Sequence, residues 1–133
     1  MTDLSQWSVL LVDDEPDNIG VVEYIFRFSN VRVRSAMSVS SGIEMLQAEL
    51  PTVLLTDVRM ARMSGEDLLK VIRANDAWKH LKVIAITAYA LEGDRERFLG
   101  MGFDGYISKP ITIGTLIGDV QRVVESKGTQ KEM

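Results

Sequence analysis

The chain has 133 residues, 46% of them hydrophobic, which suits one domain with a real core. Lys and Arg number 15 against 19 Asp and Glu, a formal net charge of −4, and there is no cysteine. The acidic balance argues against nonspecific binding to nucleic acid or to an anionic membrane, and the missing cysteines exclude disulfides, thiol catalysis and thiolate metal sites. We expect no signal peptide, no membrane-spanning segment and a cytoplasmic location.

Five short apolar runs alternate with five segments of helical length. The predicted strands are Ser8–Val12, Val31–Ala36, Val53–Asp57, Val83–Thr87 and Gly105–Ser108. The predicted helices are Asp17–Ser29, a segment from an N-cap at Ser38 to just before Pro51, Gly65–Ala74, Leu91–Met101 and Ile113–Glu125. This alternation predicts an α/β fold with a parallel sheet. We expect a single domain over residues 1–133, with its core at about 8–125 and flexible ends at 1–6 and 126–133.

Two of these elements depart from the common pattern. In the second strand, Arg32 and Arg34 alternate with smaller residues, which predicts an exposed edge strand. The first helix is apolar around more than one stripe, through Ile19, Val21, Val22, Tyr24, Ile25, Phe26 and Phe28. A helix needs only one apolar stripe for the core, so this helix is either unusually well buried or carries a partner surface.

Four of the five predicted strands run into residues that can bind phosphate or magnesium. Asp13 and Asp14 follow the first strand, and Asp57 ends the third. Thr87 ends the fourth strand, and Lys109 follows the fifth. Because ligands of parallel sheets bind at the carboxyl ends of the strands, where the strand order reverses, we expect these side chains to converge. A carboxylate can accept a phosphoryl group, and Mg²⁺ relieves the repulsion between adjacent acids.

Taken in order and at these spacings, the motifs resemble the receiver domain of two-component response regulators. The matching residues are 12–16 (VDDEP), Asp57 with Met60, Met63 and Gly65, Thr87 with Ala88, and 106–111 (YISKPI). The similarity covers about residues 8–125 and implies a flavodoxin-like, doubly wound sheet of order 2-1-3-4-5 with five helices. The family often has proline where this chain has Ala61, so we expect a less rigid loop after the third strand.

The resemblance implies that Asp57 is the phosphorylated residue and that Mg²⁺ is the cofactor. Asp14 and Asp57 would bind the ion directly and Asp13 through a water molecule, with the backbone carbonyl of Arg59 as the remaining protein ligand. An alternative for Asp57 is a strand-end residue that caps the following turn. For Asp13 and Asp14, the alternative is an acidic pair favoured by the dipole of the following helix.

The resemblance also assigns roles at the ends of the last two strands. Lys109 would pair with Asp57 and then with the phosphoryl oxygens, aimed by a cis bond to Pro110. Thr87 would donate a hydrogen bond to the phosphoryl group. Tyr106 would be the rotamer switch that follows Thr87. Taken singly, each residue is also common in strands and loops, so these roles depend on the whole set.

We therefore predict a phosphoacceptor response regulator, which is a switch and not an enzyme beyond its own phosphorylation and dephosphorylation. The expected partners are a sensor histidine kinase or a histidine phosphotransfer protein, and an output protein that the sequence does not identify. The single histidine, His80, is predicted to lie in a surface loop, so the donor histidine must come from a partner. The predicted docking residues are Glu15, Asn18, Ile19, Val22, Pro110 and Ile111.

Other functions are compatible with parts of this pattern. A small Mg²⁺-dependent phosphatase could use Asp57 as its nucleophile, but such enzymes typically have an acid two residues later, where this chain has Arg59. A phosphorylation-silent interaction module is a second alternative, although the full set of site residues argues against it. The chain could also be part of a longer hybrid kinase. From its first methionine and polar tail, we expect an independent protein.

Overall fold

Five parallel strands form one sheet in the order β2-β1-β3-β4-β5 in a computed structural model, which describes residues 6–60, 62–88 and 93–125. The strands are β1 (Ser8–Val12), β2 (Arg32–Ala36), β3 (Val53–Asp57), β4 (Lys82–Thr87) and β5 (Gly105–Ser108). The helices are α1 (Pro16–Phe28), α2 (Val39–Ala48), α3 (Gly65–Ala74), α4 (Asp94–Met101) and α5 (Ile113–Glu125). The predicted α/β fold and strand order are confirmed. The expectations for residues 1–5 and 126–133, for Ala61 and for a helix start at Leu91 lie outside the described residues.

The sheet separates two apolar cores. One side packs against α2, α3 and α4, with Leu46, Leu68 and Phe98 fully or almost fully buried. The other side packs against α1 and α5, with Phe26 and Leu116 fully buried. Every residue of β1 and β3 is buried, because helices cover both faces of these central strands.

Strand β2 lies at the edge of the sheet, as its arginines predicted. Arg32 is exposed and pairs with Glu49 at 3.0 Å, and Arg34 donates to the backbone carbonyl of Glu49 at 2.8 Å. Charged side chains on an edge strand disfavour its pairing with a strand of another chain. The strand begins at Arg32 and not at Val31, because the backbone N–H of Val31 donates to the carbonyl of Phe26 and closes the turn after α1.

Local sequence signals explain several of the helix ends. Helix α1 begins at Pro16, one residue earlier than predicted. Proline is tolerated in the first turn, because the backbone N–H that it lacks would have no hydrogen-bond partner within the helix. Ser38 caps α2 by accepting a hydrogen bond from the backbone N–H of Ser41. Ser64 and Asp67 form a capping box at the start of α3. Gly102 ends α4 with φ of 115°, a conformation that favours glycine. In the described part of the chain, no helix combines the length and apolar character needed to cross a bilayer.

Candidate functional site

Three carboxylates meet at the carboxyl ends of β1 and β3. These strands are neighbours in the sheet, with Val12 opposite Thr56, so the residues that follow them lie side by side. One carboxylate oxygen from each of Asp13, Asp14 and Asp57 lies within 4.8 Å of the other two. The convergence that the strand ends predicted is therefore present in the structure.

Asp57 is almost fully buried and its two oxygens have different partners. Oδ1 accepts a hydrogen bond from the backbone N–H of Arg59 at 3.1 Å, and Oδ2 accepts one from Lys109 Nζ at 2.9 Å. The backbone carbonyl of Asp57 accepts from the Thr56 hydroxyl at 3.1 Å and lies against Gly65. These contacts orient the carboxylate at the end of a central strand that is buried along its whole length.

Lys109 lies between two carboxylates. Its ammonium is 2.9 Å from Asp57 and 3.3 Å from Glu15, and its backbone N–H donates to the carbonyl of Thr87 at 2.8 Å. The Lys109–Pro110 peptide bond is cis, as the resemblance implied. Burial disfavours the charged ammonium, but the hydrogen bond and charge of Asp57, with smaller effects of its other acidic neighbours, outweigh it and raise the pKa of Lys109.

Asp13 is fully buried beside other acids. Burial raises the pKa of Asp13 to about 6; a hydrogen bond from the backbone N–H of Glu15 opposes this shift, and the charge of Asp57 adds to it. Its Oδ2 atom is buried and has no hydrogen-bond partner among the residues that the structure describes. A carboxylate that is costly to ionise, with one oxygen unpaired and two further carboxylates close by, suits a hard divalent cation such as Mg²⁺.

A cleft of about 210 Å³ opens above these groups. It is lined by Asp14, Glu15, Asp57, Arg59, Thr87, Ala88 and Lys109. Thr87 is buried at the end of β4, and Arg59 is exposed at the rim. The cleft is large enough for a phosphoryl group, and its walls supply both metal-binding and phosphate-binding groups.

Tyr106 lies away from this cleft. Its half-buried ring packs against Phe98 of α4, with 5.8 Å between the ring centroids. It belongs to β5 and stands opposite Ala85 of β4, two residues before Thr87. The structure therefore places Tyr106 near Thr87 along the sheet, and its role as a switch stays a prediction.

The predicted docking surface needs one correction. Val22 is fully buried in the core between α1 and the sheet, together with Ile25 and Phe26, so including it in an exposed surface was wrong. Val22 precedes Ile25 and Phe26 by three and four residues and shares with them the face of α1 that packs against the sheet. The remaining docking residues are exposed or half-buried: Glu15, Asn18, Ile19, Pro110 and Ile111.

The sequence did not predict the contact between Glu15 and Lys109. Glu15 was expected at the docking surface, but its carboxylate also accepts from Lys109 and from the side-chain amide of Asn18. Because Glu15 directly follows the Asp13-Asp14 pair, the sequence could have indicated that Glu15 lies beside the cleft. The pairing of Glu15 with Lys109, 94 positions away, has no signal in the neighbouring sequence.

The parallel sheet of order 2-1-3-4-5, with three acids and a lysine at its carboxyl edge, places this chain in the class of doubly wound α/β domains that bind ligands where the strand order reverses. The model of the response regulator receiver domain matches residues 9–121, and the chain belongs to this family. One receiver domain therefore accounts for nearly all of the sequence.

Similar proteins agree with this assignment. The chain is 35% identical over 122 residues to an uncharacterized 14.6 kDa protein from Leptolyngbya boryana, covering 92% of this chain and 93% of that protein. It is 28% identical to the polar-differentiation response regulator DivK of Brucella anthropi, and the alignment covers 86% of this chain and 93% of DivK. The receiver domain of the sensor histidine kinase PA1611 from Pseudomonas aeruginosa is 31% identical, covers 90% of this chain and 98% of that one, and superposes with a TM-score of 0.80. That structure has a magnesium ion coordinated in its active-site cleft.

Proposed function

We propose that Asp57 accepts a phosphoryl group from a phosphohistidine of a partner protein. The observation that carries this proposal is the placement of the Asp57 carboxylate. It is buried, lies within 4.8 Å of two further acids and is paired with Lys109 at 2.9 Å, at the floor of a cleft. A fixed carboxylate next to a fixed cation suits phosphoryl transfer, which needs positioning and charge neutralisation.

In the transfer step, a carboxylate oxygen of Asp57 forms a bond to phosphorus while the bond from phosphorus to the donor imidazole nitrogen breaks. The imidazole leaves with the electron pair of that bond. Lys109, which already pairs with Oδ2, neutralises the charge on the phosphoryl oxygens. The Thr87 hydroxyl supplies a hydrogen bond at the same edge of the cleft. The product is an aspartyl phosphate.

The acidic residues of this cleft fit the Mg²⁺ ion that receiver domains bind at their acidic pocket. Asp14 and Asp57, with the backbone carbonyl of Arg59, would hold the ion directly, and Asp13 would hold it through water. The unpaired Oδ2 atom of Asp13 supports this assignment. The bound ion supplies positive charge to the phosphoryl oxygens.

The donor is proposed to be a sensor histidine kinase or a histidine phosphotransfer protein, with which receiver domains interact. His80, the only histidine in the sequence, precedes β4, whereas the cleft lies beyond the carboxyl end of that strand. It is therefore at the wrong edge of the sheet to phosphorylate Asp57 within the chain. The proposed docking surface is Glu15, which lines the cleft, with Asn18, Ile19, Pro110 and Ile111, which are exposed or half-buried and lie near Glu15 or Lys109 in the chain.

The chain is proposed to act as a switch that turns over only its own phosphoryl group. Arg59 occupies the second position after Asp57, where phosphatases with an aspartate nucleophile typically have an acid. Incubation with p-nitrophenyl phosphate and Mg²⁺ tests this point. Multiple turnovers per chain would contradict the proposal and favour the phosphatase.

Mass spectrometry after incubation with acetyl phosphate and Mg²⁺ tests the acceptor. We expect one added phosphoryl group on the native chain and none on Asp57→Asn. Asp76→Asn is the matched control, because the Asp76 side chain is 97% exposed and lies outside the cleft. Equal labelling of Asp57→Asn and the native chain would overturn the assignment.

A second comparison tests the docking surface. Ile19→Glu should slow phosphorylation by a protein donor and leave labelling by acetyl phosphate intact. Leu50→Glu is the control, since Leu50 is also an exposed apolar residue but precedes β3, at the other edge of the sheet. An equal fall in both reactions for Ile19→Glu would show that Ile19 acts only through the core against which it packs.

A further inference from the structure

The outward face of α1 is apolar at its centre. Val21, Tyr24 and Phe28 are 43%, 60% and 77% exposed, and the rings of Tyr24 and Phe28 stack with 6.1 Å between centroids. We define the outer face by these residues together with Asp17, Gly20 and Arg27, all of them exposed. Adjoining exposed apolar and aromatic side chains are typical of interaction surfaces, where aromatic residues are enriched.

Gly20 lies on this face, where its missing side chain is not required by any contact within the described structure. A Cβ atom at Gly20 would have no neighbour within 4 Å, so nothing in the described structure requires a glycine there. Glycine in the middle of a helix costs about 0.5–1 kcal/mol relative to alanine. A missing side chain beside an exposed aromatic ring lets a second helix approach closely.

The charges of the outer face are self-complementary. Asp17 is in the first turn of α1 and Arg27, which also pairs with Glu23 at 3.6 Å, is in the last, with the apolar residues between them. If two α1 helices cross antiparallel near residue 22, Asp17 of each copy faces Arg27 of the other. The same register places the ring of Tyr24 against Gly20 of the second copy. A parallel arrangement would instead bring like charges together.

From these observations we propose that the outer face binds a second copy of this chain, with the two α1 helices antiparallel. The face shares no residue with the proposed docking surface: Ile19 lies on another side of α1 and packs toward the core, and Asn18, one helical turn before Val21, lies at the border between the two. The proposal does not rest on phosphoryl transfer. A single helix face is smaller than a standard interface of about 1,600 Å², so the dimer is expected to be weak.

Sedimentation equilibrium of the full chain, from low micromolar to near millimolar concentration, tests the association. We expect a reversible dimer, and Tyr24→Ser with Phe28→Ser should raise its dissociation constant about tenfold or more. Leu50→Ser, an exposed apolar residue away from α1, is the control and should change nothing. A native chain that stays monomeric over the whole range would overturn the proposal. Ile19→Glu should dimerise normally, which separates this surface from donor docking.

Charge reversal tests the antiparallel register. Asp17→Arg alone and Arg27→Asp alone should each weaken the dimer, because each brings like charges together. The chain with both changes should dimerise like the native protein, and so should an equimolar mixture of the two single variants. Circular dichroism and thermal unfolding of each variant establish that it is folded. Association that depends on Tyr24 and Phe28 but is unaffected by either single reversal would overturn the antiparallel arrangement.

Discussion

The ammonium of Lys109 lies 2.9 Å from Oδ2 of Asp57, although 52 positions separate the two residues in the chain. The sheet brings them together, because β3 and β5 both end at its carboxyl edge on either side of β4. Lys109 is also 3.3 Å from Glu15, so the same cation balances two acids before any phosphoryl group arrives. In the proposed transfer, the positive charge of Lys109 would both hold the Asp57 carboxylate and neutralise the incoming phosphoryl oxygens.

Lys109→Met should separate these two roles. Phosphorylation of Asp57 by acetyl phosphate should slow by roughly 100-fold, because one fixed charge that stabilises the transition state is removed. Affinity for Mg²⁺ should rise, because a competing cation has left the cluster of carboxylates. Labelling rates and calorimetric Mg²⁺ titration measure the two effects. Lys79→Met, which removes a surface lysine paired with Asp76, is the control. Weaker Mg²⁺ binding by Lys109→Met would contradict this account.

Asp13 should make the metal-free protein less stable as the pH rises. The pKa of Asp13 is about 6 in the folded chain, above its ordinary value of 3.8, so the folded state holds this proton more tightly than the unfolded state. Its contribution to the free energy of unfolding therefore falls between pH 4 and about 6 and is constant above about 7. The loss is at most roughly 3 kcal/mol.

The comparison with Asp13→Asn isolates this contribution. In urea unfolding with a chelator present, the variant should be the more stable protein at pH 7, and its advantage should shrink as the pH falls to 4. The variant should also bind Mg²⁺ more weakly. Asp76→Asn should follow the native pH dependence. Parallel curves for Asp13→Asn and the native chain would show that Asp13 ionises without cost.

Gly65 is required by the backbone of the acceptor. A Cβ atom at this position would lie 2.4 Å from the carbonyl oxygen of Asp57 and 3.1 Å from Thr56 Oγ1. Gly65→Ala should therefore cost about 1–3 kcal/mol in the free energy of unfolding and slow labelling of Asp57, since the strand end must move. Gly118→Ala is the matched control: its nearest neighbour is the flexible end of Arg122 at 3.9 Å, so it should stabilise α5. Equal stability of the two variants would contradict the close approach.

The site could be predicted because its residues are tied to strand ends. Asp57 and Thr87 are the last residues of β3 and β4, and Lys109 directly follows β5. Parallel strands bring their carboxyl ends to the same edge of the sheet, so these residues lie close together. The sequence could not distinguish Ile19 from Val22, since both are apolar on a helix with more than one apolar stripe. Only the packing of α1 shows that Val22 is buried.

Contacts between side chains that are distant in the chain could not be predicted from the sequence, because they also depend on how the helices pack. Arg73 donates to the carbonyl of Gly102 and pairs with Asp104 at 2.9 Å, joining α3 to the turn before β5. Nothing local to Arg73 indicates a partner 31 positions away, because the pairing depends on how α3 and α4 pack on the sheet. The contact of Glu15 with Lys109 escaped prediction in the same way.

The last prediction concerns coupling between Thr87 and Tyr106. An open cleft of about 470 Å³ adjoins Thr87 and Phe98, and the Tyr106 ring packs on the same Phe98. Phosphorylation adds close to two negative charges and new acceptor oxygens beside Thr87. If the Thr87 hydroxyl moves toward them, it vacates space behind β4, which a neighbouring ring fills because packed interiors do not leave a void. We expect Tyr106 to become more buried. That would reshape the surface of α4, β5 and α5, where we expect the output partner to bind.

Fluorine NMR of the chain labelled with fluorotyrosine tests this coupling. The sequence has three tyrosines, and Tyr24 on the outer face of α1 serves as an internal reference. Beryllofluoride with Mg²⁺ should shift the Tyr106 resonance and leave that of Tyr24 unchanged. Because such a switch is a population shift of a few kcal/mol, the unmodified chain can show both rotamers of Tyr106. Thr87→Ala should still bind beryllofluoride but lose the Tyr106 shift. A Tyr106 shift of the same size in Thr87→Ala would show that the ring responds to the phosphoryl group by a route other than Thr87.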